Sequence, residues 1–308
     1  MMSFYTETPD NWEALVTYIN KENFISAIFS GKCCFFYDTC SFRYHAGLSW
    51  GDSEHILRYI KDENGIVILT RCVIMELASK KHSINQEYIE YLTHIRKSEV
   101  DVYIINEEDI FDVMSVCFGS NRVINSYLSW AVRFLATPVS TIKSTLDSEL
   151  ALENEIIRMK GAERSDVYLR FFSSVRANKE EQDNLGEELI AVCMHVLANI
   201  PGECDGKFRI ITDDKCAAGM IDHMFKKTSN NYQGSRIVLY STCKLIQILH
   251  RKGYIHDRRE ILGLVSMYRH GNIRFLGTEI YDIENREISM TKELFAEGIL
   301  TDSINVTF

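Results

Sequence analysis

Five short, mostly apolar runs separated by segments of helical character constrain the fold of this chain more than any other feature. The runs are Cys33–Tyr37, Ile66–Leu69, Val100–Ile105, Phe208–Ile211 and Arg236–Tyr240. Their apolar residues do not alternate with polar ones, which is typical of strands buried on both faces of a parallel sheet. Parallel strands need long crossovers, and helices between the runs would supply them. The sequence therefore predicts an α/β protein, a parallel-sheet α/β/α sandwich.

Apolar periodicity predicts the helices around these strands. They cover Trp12–Phe29 (one or two helices), Ser53–Lys61, Arg71–Lys80 after a Thr70 cap, Asn85–Lys97, a segment from Glu107, Glu187–Asn199, a segment ending at Lys227, and Thr242–Lys252. Residues 121–178 show a helical pattern throughout, inside a domain predicted to span 1–255. An extension, 256–308, follows, in which Ile273–Leu276 and Ile280–Ile283 predict an edge hairpin or a partner-binding tail.

Acidic residues stand where two of the predicted strands end. Asp38 follows the first strand, and Asp213 and Asp214 follow the fourth. Glu76 lies two turns into the helix after the second strand, and Glu187 opens an apolar helix. Functional groups of parallel sheets collect at the carboxyl ends of the strands. Acids that share such a site repel one another, and a hard divalent cation with oxygen ligands removes that cost.

Each acid alone also has an ordinary structural explanation. Asp38 would begin a turn, Glu76 would be an exposed helix residue, and Asp213 would cap a helix. Glu187 would interact favourably with the positive end of its helix. The joint appearance of these acids in this strand order favours a metal site.

Four segments containing these acids resemble the motifs of PIN-domain nucleases. In order, they are FFYDTCSF, ILTRCVIMELAS, NLGEELIAVCMHVLA and FRIITDDKCA. The likeness is strongest to VapC-type toxins and related bacterial PIN proteins, and it covers about residues 33–116 and 183–255. The long helical insertion between the second and third motifs departs from a compact PIN domain.

The resemblance implies metal-dependent hydrolysis of RNA phosphodiester bonds with magnesium or manganese. It makes Asp38, Glu76, Glu187 and Asp214 the catalytic acids and adds Asp213 as a further metal-ligand candidate, while Glu188 competes for the place of Glu187. Asp38 and Asp214 would be direct ligands, and Glu76 and Glu187 would bind directly or through water. Thr39 and Thr212 would orient the neighbouring carboxylates.

The two adjacent acids Asp213 and Asp214 cannot face one cation equally, because neighbouring side chains of a strand point to opposite sides. The family pattern places its acid two residues after Thr212, at Asp214. Asp213 is then expected to cap the helix that begins near Lys215.

The net charge of −9 at pH 7 is unusual for a protein that binds RNA. RNA would have to meet local basic clusters, for which the candidates are Lys80-Lys81-His82, Lys226-Lys227, and Arg251-Lys252 with Arg258-Arg259. Ordinary solvated helix faces explain each cluster equally simply. Nine scattered cysteines without a CxxC pair predict buried, reduced thiols, and the absence of a signal-like or membrane-spanning segment predicts a cytoplasmic protein.

Three classes of function are compatible with these observations. The first is a PIN-type endoribonuclease acting as a toxin or defence effector, whose expected partners are RNA, an inhibitor protein and a second copy of the chain. The second is a catalytically silent PIN-like module that binds a protein partner through its helical insertion. The third is another α/β protein with an acidic pocket, which the lack of a DxD pair at Asp38 and of a glycine-rich phosphate loop disfavours.

Overall fold

The computed structural model describes residues 4–79, 81–135, 140–228, 234–268, 271–280, 282 and 284–308. Its main sheet consists of β1 (Cys33–Tyr37), β2 (Gly65–Thr70), β3 (Asp101–Ile105), β4 (Phe208–Ile211) and β5 (Val238–Tyr240). All neighbouring strands are parallel, in the order β3-β2-β1-β4-β5. Every residue of β2 is buried, as expected of a strand covered on both faces. The predicted parallel sheet is confirmed.

Helices flank this sheet and connect its strands. They are α1 (Lys21–Phe29), α2 (Thr39–Ala46), α3 (Trp50–Asp62), α4 (Arg71–Ala78), α5 (Gln86–Lys97), α6 (Ile110–Cys117), α7 (Asn121–Leu135), α8 (Thr141–Ser148), α9 (Leu150–Ile156), α10 (Val167–Ala177), α11 (Leu185–Leu197), α12 (Lys215–Thr228), α13 (Thr242–Arg251), α14 (Arg258–Leu264) and α15 (Lys292–Leu300). The segment Trp12–Phe29 differs from the prediction, since two short 3₁₀ turns, Trp12–Ala14 and Val16–Tyr18, precede α1. The second of these turns lies beside β3.

The strand order reverses between β1 and β4. The chain moves outward from β1 to β2 and β3, then returns and adds β4 and β5 on the other side. Crossovers that leave neighbouring strands in opposite directions open a crevice at their carboxyl ends. Asp38 directly follows β1, and Thr212 directly follows β4. The topology therefore brings the first and fourth acidic segments to one crevice.

The insertion adds helices and leaves the sheet uninterrupted. Residues 121–178 form α7 to α10, and no strand occurs among those of them that the structure describes, which excludes 136–139. The aromatic side chains of Tyr168, Phe171 and Phe172 are buried in the core, whereas Trp130 is exposed. α7 packs against α11, the helix that carries Glu187.

The extension after residue 255 forms a separate small sheet. Its strands are β6 (Asn272–Glu279), β7 (Arg286–Thr291) and β8 (Ile304–Val306), antiparallel in the order β7-β6-β8. Ile273–Leu276 lies in β6 as predicted, but its partner strand is β7 and not Ile280–Ile283, of which the structure describes only residues 280 and 282. The hairpin belongs to its own sheet and not to an edge of the parallel one. Gln247 of α13 joins the two parts, because its side chain donates to the Ile304 carbonyl at 2.9 Å and accepts from the Val306 amide at 3.1 Å.

The cysteines only partly follow their predicted environment. All nine are free thiols, and Cys34, Cys72, Cys193 and Cys243 are buried. Cys40, Cys117, Cys204 and Cys216 are exposed, because they lie at helix ends or in loops rather than inside the apolar runs. Within the described ranges, none of the helices has the length and apolar character needed to traverse a bilayer.

Candidate functional site

Asp38 is a buried carboxylate at the end of β1. It caps α2, where Oδ1 accepts from the Cys40 amide at 3.2 Å, and the Thr212 hydroxyl after β4 donates to Oδ2 at 2.8 Å. The residue is only 1% exposed, and this burial raises the pKa of Asp38. The bonds from Cys40 and Thr212 oppose that shift, while nearby Glu76 adds to it. The proposed orienting role of Thr212 matches this contact.

Glu76 projects from α4 toward the same crevice. Its Oε2 accepts a short hydrogen bond from the Thr39 hydroxyl, and its Oε1 lies 2.7 Å from the ammonium nitrogen of Lys179. Lys179 follows α10, at the end of the insertion, so the insertion reaches the acidic site directly. The sequence patterns gave no indication of Lys179, because it lies among polar residues far along the chain from Glu76.

Gly186 allows α11 to approach Glu76 closely. A Cβ atom at this position would lie 2.8 Å from Glu76 Oε1, so the Glu76 carboxylate would have to shift to accommodate it. The glycine thus makes room for the carboxylate and sets the position of the next residue, Glu187. Its place in the NLGEEL segment was visible in the sequence, although its role was not.

Glu187 lies in the electrostatic field of three other acids. Burial raises the pKa of Glu187 to about 9, with further increases from Asp38, Glu76 and Asp214 in that order. No lysine, arginine or histidine among the described residues forms an ion pair with it. A carboxyl group in this position is most stable when protonated or when a cation is close.

Glu188, the alternative candidate to Glu187, contacts the insertion and not the other acids. Its side chain accepts a hydrogen bond from the Ile142 amide at 3.2 Å, at the start of α8 in the insertion. Burial raises the pKa of Glu188 to about 7, and the bond from Ile142 partly offsets that shift. The structure therefore directs Glu187 toward the other acids and Glu188 toward the insertion.

Asp214 takes the helix-capping role that was expected of Asp213. Asp214, not Asp213, caps α12, because its Oδ1 accepts from the amides of Cys216 and Ala217 at 2.7 and 3.0 Å. The Thr212 hydroxyl accepts from the Asp214 amide at 3.1 Å, and this turn directs Asp214 toward the helix start. The capping prediction for Asp213 was wrong.

Asp213 faces α2 and α13 instead. Its Oδ1 accepts from the Thr242 amide at 2.7 Å, and its Oδ2 accepts from the hydroxyls of Thr242 and Ser41 at 2.6 and 3.1 Å. These bonds use both oxygens and tie the end of β4 to two helices. Asp213 is therefore the acid of this group that is held as a structural support, while Asp214 keeps Oδ2 without a hydrogen bond in the described structure.

Four acids thus share the crevice: Asp38, Glu76, Glu187 and Asp214. Their oxygen-only chemistry and excess negative charge fit a hard divalent cation. As the side chains stand, however, no three His, Cys, Asp or Glu side chains of the described residues are arranged to hold a metal ion. Glu76 is paired with Lys179, and Asp214 is turned to its helix cap, so a ligand set would form only after one of these contacts changes.

No family model, curated protein or solved structure matches this chain. The assignment of the site therefore depends on its own geometry and on the sequence patterns.

A basic cleft adjoins the acidic crevice on the far side of Glu76. It has a volume of about 230 Å³ and is lined by Arg43, Leu77, Ala78, Ser79, Lys81, Ser83, Asn85 and Tyr88. None of the described residues that line it is acidic. The Arg43 guanidinium donates to the main-chain carbonyl of Glu76 at 2.5 Å, which fixes a positive charge beside the crevice.

The cluster of Arg251 and Lys252 is less available for contacts with RNA. Arg251 and Lys252 form ion pairs with Asp302 and Glu63, which supports their interpretation as ordinary surface charges. Lys80 and the side chains of Lys226 and Lys227 lie outside the described residues.

Proposed function

We propose that this chain is a metal-dependent endoribonuclease of the PIN kind, acting as a toxin or defence effector. The observation that carries the proposal is the meeting of Asp38, Glu76, Glu187 and Asp214 at the point where the strand order reverses. Charge of one sign in a crevice between strand ends is costly unless a cation or a reaction uses it. The four PIN-like segments of the sequence support the same assignment.

In this mechanism, Asp38, Glu187 and Asp214 would hold magnesium or manganese, with Glu76 completing the set. The bound ion would supply Lewis acidity for the attack of water on a phosphodiester. The Thr212 hydroxyl fixes Asp38 Oδ2, and the Thr39 hydroxyl fixes Glu76 Oε2, so two carboxylates are oriented before substrate arrives. Glu187 would hold a proton until a cation is present, because burial and the neighbouring acids raise its pKa.

The basic cleft would bind RNA next to the acidic crevice, although the protein as a whole has a net negative charge. Arg43 and Lys81 are cationic, and Ser79, Ser83 and Asn85 add polar groups within the same lining. A phosphate of a single-stranded RNA in this cleft would be next to Glu76, because Arg43 contacts the Glu76 backbone. The attraction between these cationic side chains and RNA phosphates is electrostatic. RNA binding should therefore weaken strongly as the salt concentration increases.

A catalytically silent module is the second candidate, and one observation favours it. Lys179 already neutralises Glu76, and the acids are not arranged as a closed ligand set. In that case the insertion would bind a protein partner, for which the exposed side chains of Trp130, Leu150 and Leu169 offer apolar contacts.

The test is cleavage of single-stranded RNA by the purified chain with magnesium or manganese, with and without a chelator. Asp38→Asn keeps the size of the side chain and the cap of α2, so it should reduce cleavage by roughly two orders of magnitude or more while preserving the fold. Asp147→Asn, which changes an exposed acid paired with Lys143, is the matched control and should cleave normally. Undiminished cleavage by a folded Asp38→Asn protein contradicts the nuclease mechanism. If the unaltered chain cleaves no RNA either with or without added metal, the silent module is favoured.

A further inference from the structure

Lys179 is a buried cation placed between two carboxylates. Its ammonium nitrogen lies 2.7 Å from Glu76 Oε1 and 2.5 Å from Asp183 Oδ1, and its side chain is 1% exposed. The ring of Tyr5 lies 4.8 Å from the same nitrogen. The lysine is therefore an internal counter-charge of the acidic crevice.

We propose that Lys179 is a resident cation that a divalent metal ion displaces from Glu76, so that the insertion controls metal binding at the site. This inference depends on the proposed function, because it concerns the same four acids. Glu76 is the one acid of the crevice that pairs with a cationic side chain in the described structure. Release of that contact would return its carboxylate to the ligand set.

Asp183 would keep an ion pair with Lys179 after the lysine is displaced from Glu76. Its Oδ2 accepts from the Thr141 hydroxyl at 3.0 Å and from the Glu180 amide at 2.9 Å, so the carboxylate is fixed independently of Glu76. A lysine that leaves Glu76 therefore keeps one ion pair and does not become an unpaired buried charge.

The backbone that carries Lys179 is also fixed. Arg176, three residues earlier, forms buried ion pairs with Glu107 at 2.6 Å and Glu108 at 2.7 Å. Displacement would consequently involve the Lys179 side chain rather than α10. A partner that moved the insertion would, by the same contacts, change how firmly Lys179 holds Glu76.

The deciding experiment compares Mn²⁺ binding to the full chain and to Lys179→Met and Lys207→Met, by calorimetric titration and by thermal unfolding with and without Mn²⁺. Lys207 is the matched control, since it is a buried lysine paired with Glu203 at 2.5 Å outside the acidic crevice. Lys179→Met should bind Mn²⁺ on the order of tenfold more tightly than the unaltered chain, because Glu76 no longer has a competing cation. Its unfolding temperature should also rise more on adding Mn²⁺.

Lys207→Met should be destabilised but show the Mn²⁺ affinity of the unaltered chain. If Lys179→Met does not fold, Lys179→Gln is the second variant, with the same expected direction. Equal or weaker Mn²⁺ binding by a folded Lys179 variant, when the unaltered chain binds the ion, overturns the displacement and leaves the metal site standing. Absence of Mn²⁺ binding in every protein overturns the proposed metal site itself and the displacement with it.

Discussion

The two ends of the parallel sheet both bury a lysine, with opposite consequences. At the amino end, Lys207 directly precedes β4, and its ammonium nitrogen contacts Glu203 Oε1 and the Ile28 carbonyl, both at 2.5 Å. At the carboxyl end, Lys179 contacts Glu76 and Asp183 beside three further acids. One end is a closed pair of opposite charges, and the other keeps an excess of negative charge.

The difference in charge balance between the two ends indicates which end carries more acidic groups than folding stability requires. Burying a charge is costly, and a single partner with a carbonyl, as at Lys207, is enough to compensate it. Asp38 and Asp214 cap α2 and α12, but Glu187 forms no ion pair among the described residues and adds a further acid beside them. The surplus of acids at the carboxyl end is therefore the feature on which the proposed function rests.

The largest effect on stability should separate the two lysine pairs. Glu203→Gln leaves Lys207 with a carbonyl as its remaining close partner, and we expect a loss of about 3 kcal/mol in the free energy of unfolding. Glu76→Gln should cost less than half as much, because Asp183 still pairs with Lys179 and repulsion among the acids falls. Urea unfolding of both variants measures the difference. Equal losses of unfolding free energy in the two variants would mean that repulsion among the acids at the carboxyl end does not affect stability.

An intermediate effect should separate the adjacent acids after β4. Asp213→Asn loses charge-assisted bonds to Thr242 and Ser41, so we expect it to be destabilised by roughly 1–3 kcal/mol and to retain measurable cleavage. Asp214→Asn keeps a side chain that caps helices well, so it should stay stable but lose Mn²⁺ affinity. Metal titration and unfolding of both variants test this. The assignment is reversed if Asp213→Asn loses the ion while Asp214→Asn binds it.

The parallel sheet was predictable because its strands are local, uninterrupted apolar runs. β1 and β4 have the predicted bounds, and β2, β3 and β5 differ by a residue or two at their ends. α2 could not be found in this way, because TCSFRYHA has little apolar periodicity and the Asp38 cap stabilises its start. The 3₁₀ turns before α1 were also missed, since 3₁₀ and α-helical segments share similar apolar spacing over a few residues.

The candidate site was only partly predictable for a related reason. Strand ends and chain order placed Asp38 and Asp214 near each other, because topology alone brings β1 and β4 together. Which acid caps α12 depended on the turn made by Thr212, which the sequence did not specify. Lys179 forms its ion pair with Glu76 across the whole insertion, and no local pattern encodes such a contact.

The effect that is smallest within a single pH unit should appear in the pH dependence of the stability of the metal-free chain. The pKa of Glu187 is raised from the usual 4.5 to about 9, so between these values the folded state keeps a proton that the unfolded state has lost. Stability should therefore fall as pH rises through this window, by at most about 1.4 kcal/mol per pH unit from this group.

Glu187→Gln binds no proton in either state, so its unfolding temperature should depend less on pH between 5 and 9. Lys207→Met, at the other end of the sheet, serves as the control and should keep the pH slope of the unaltered chain. A slope that is unchanged in Glu187→Gln would show that Glu187 is ionised in the folded state throughout.

The 3₁₀ turn Val16–Tyr18 has a consequence for self-association. β3 is an outer strand of the parallel sheet, and exposed outer strands invite pairing with strands of other molecules. The turn lies beside β3, held by Arg96, whose guanidinium stacks on the Tyr18 ring at 4.0 Å and donates to the Thr17 carbonyl. The turn therefore lies close to the free edge of β3. Shortening the N-terminal segment would remove this turn and leave the edge of β3 more open to pairing with another strand.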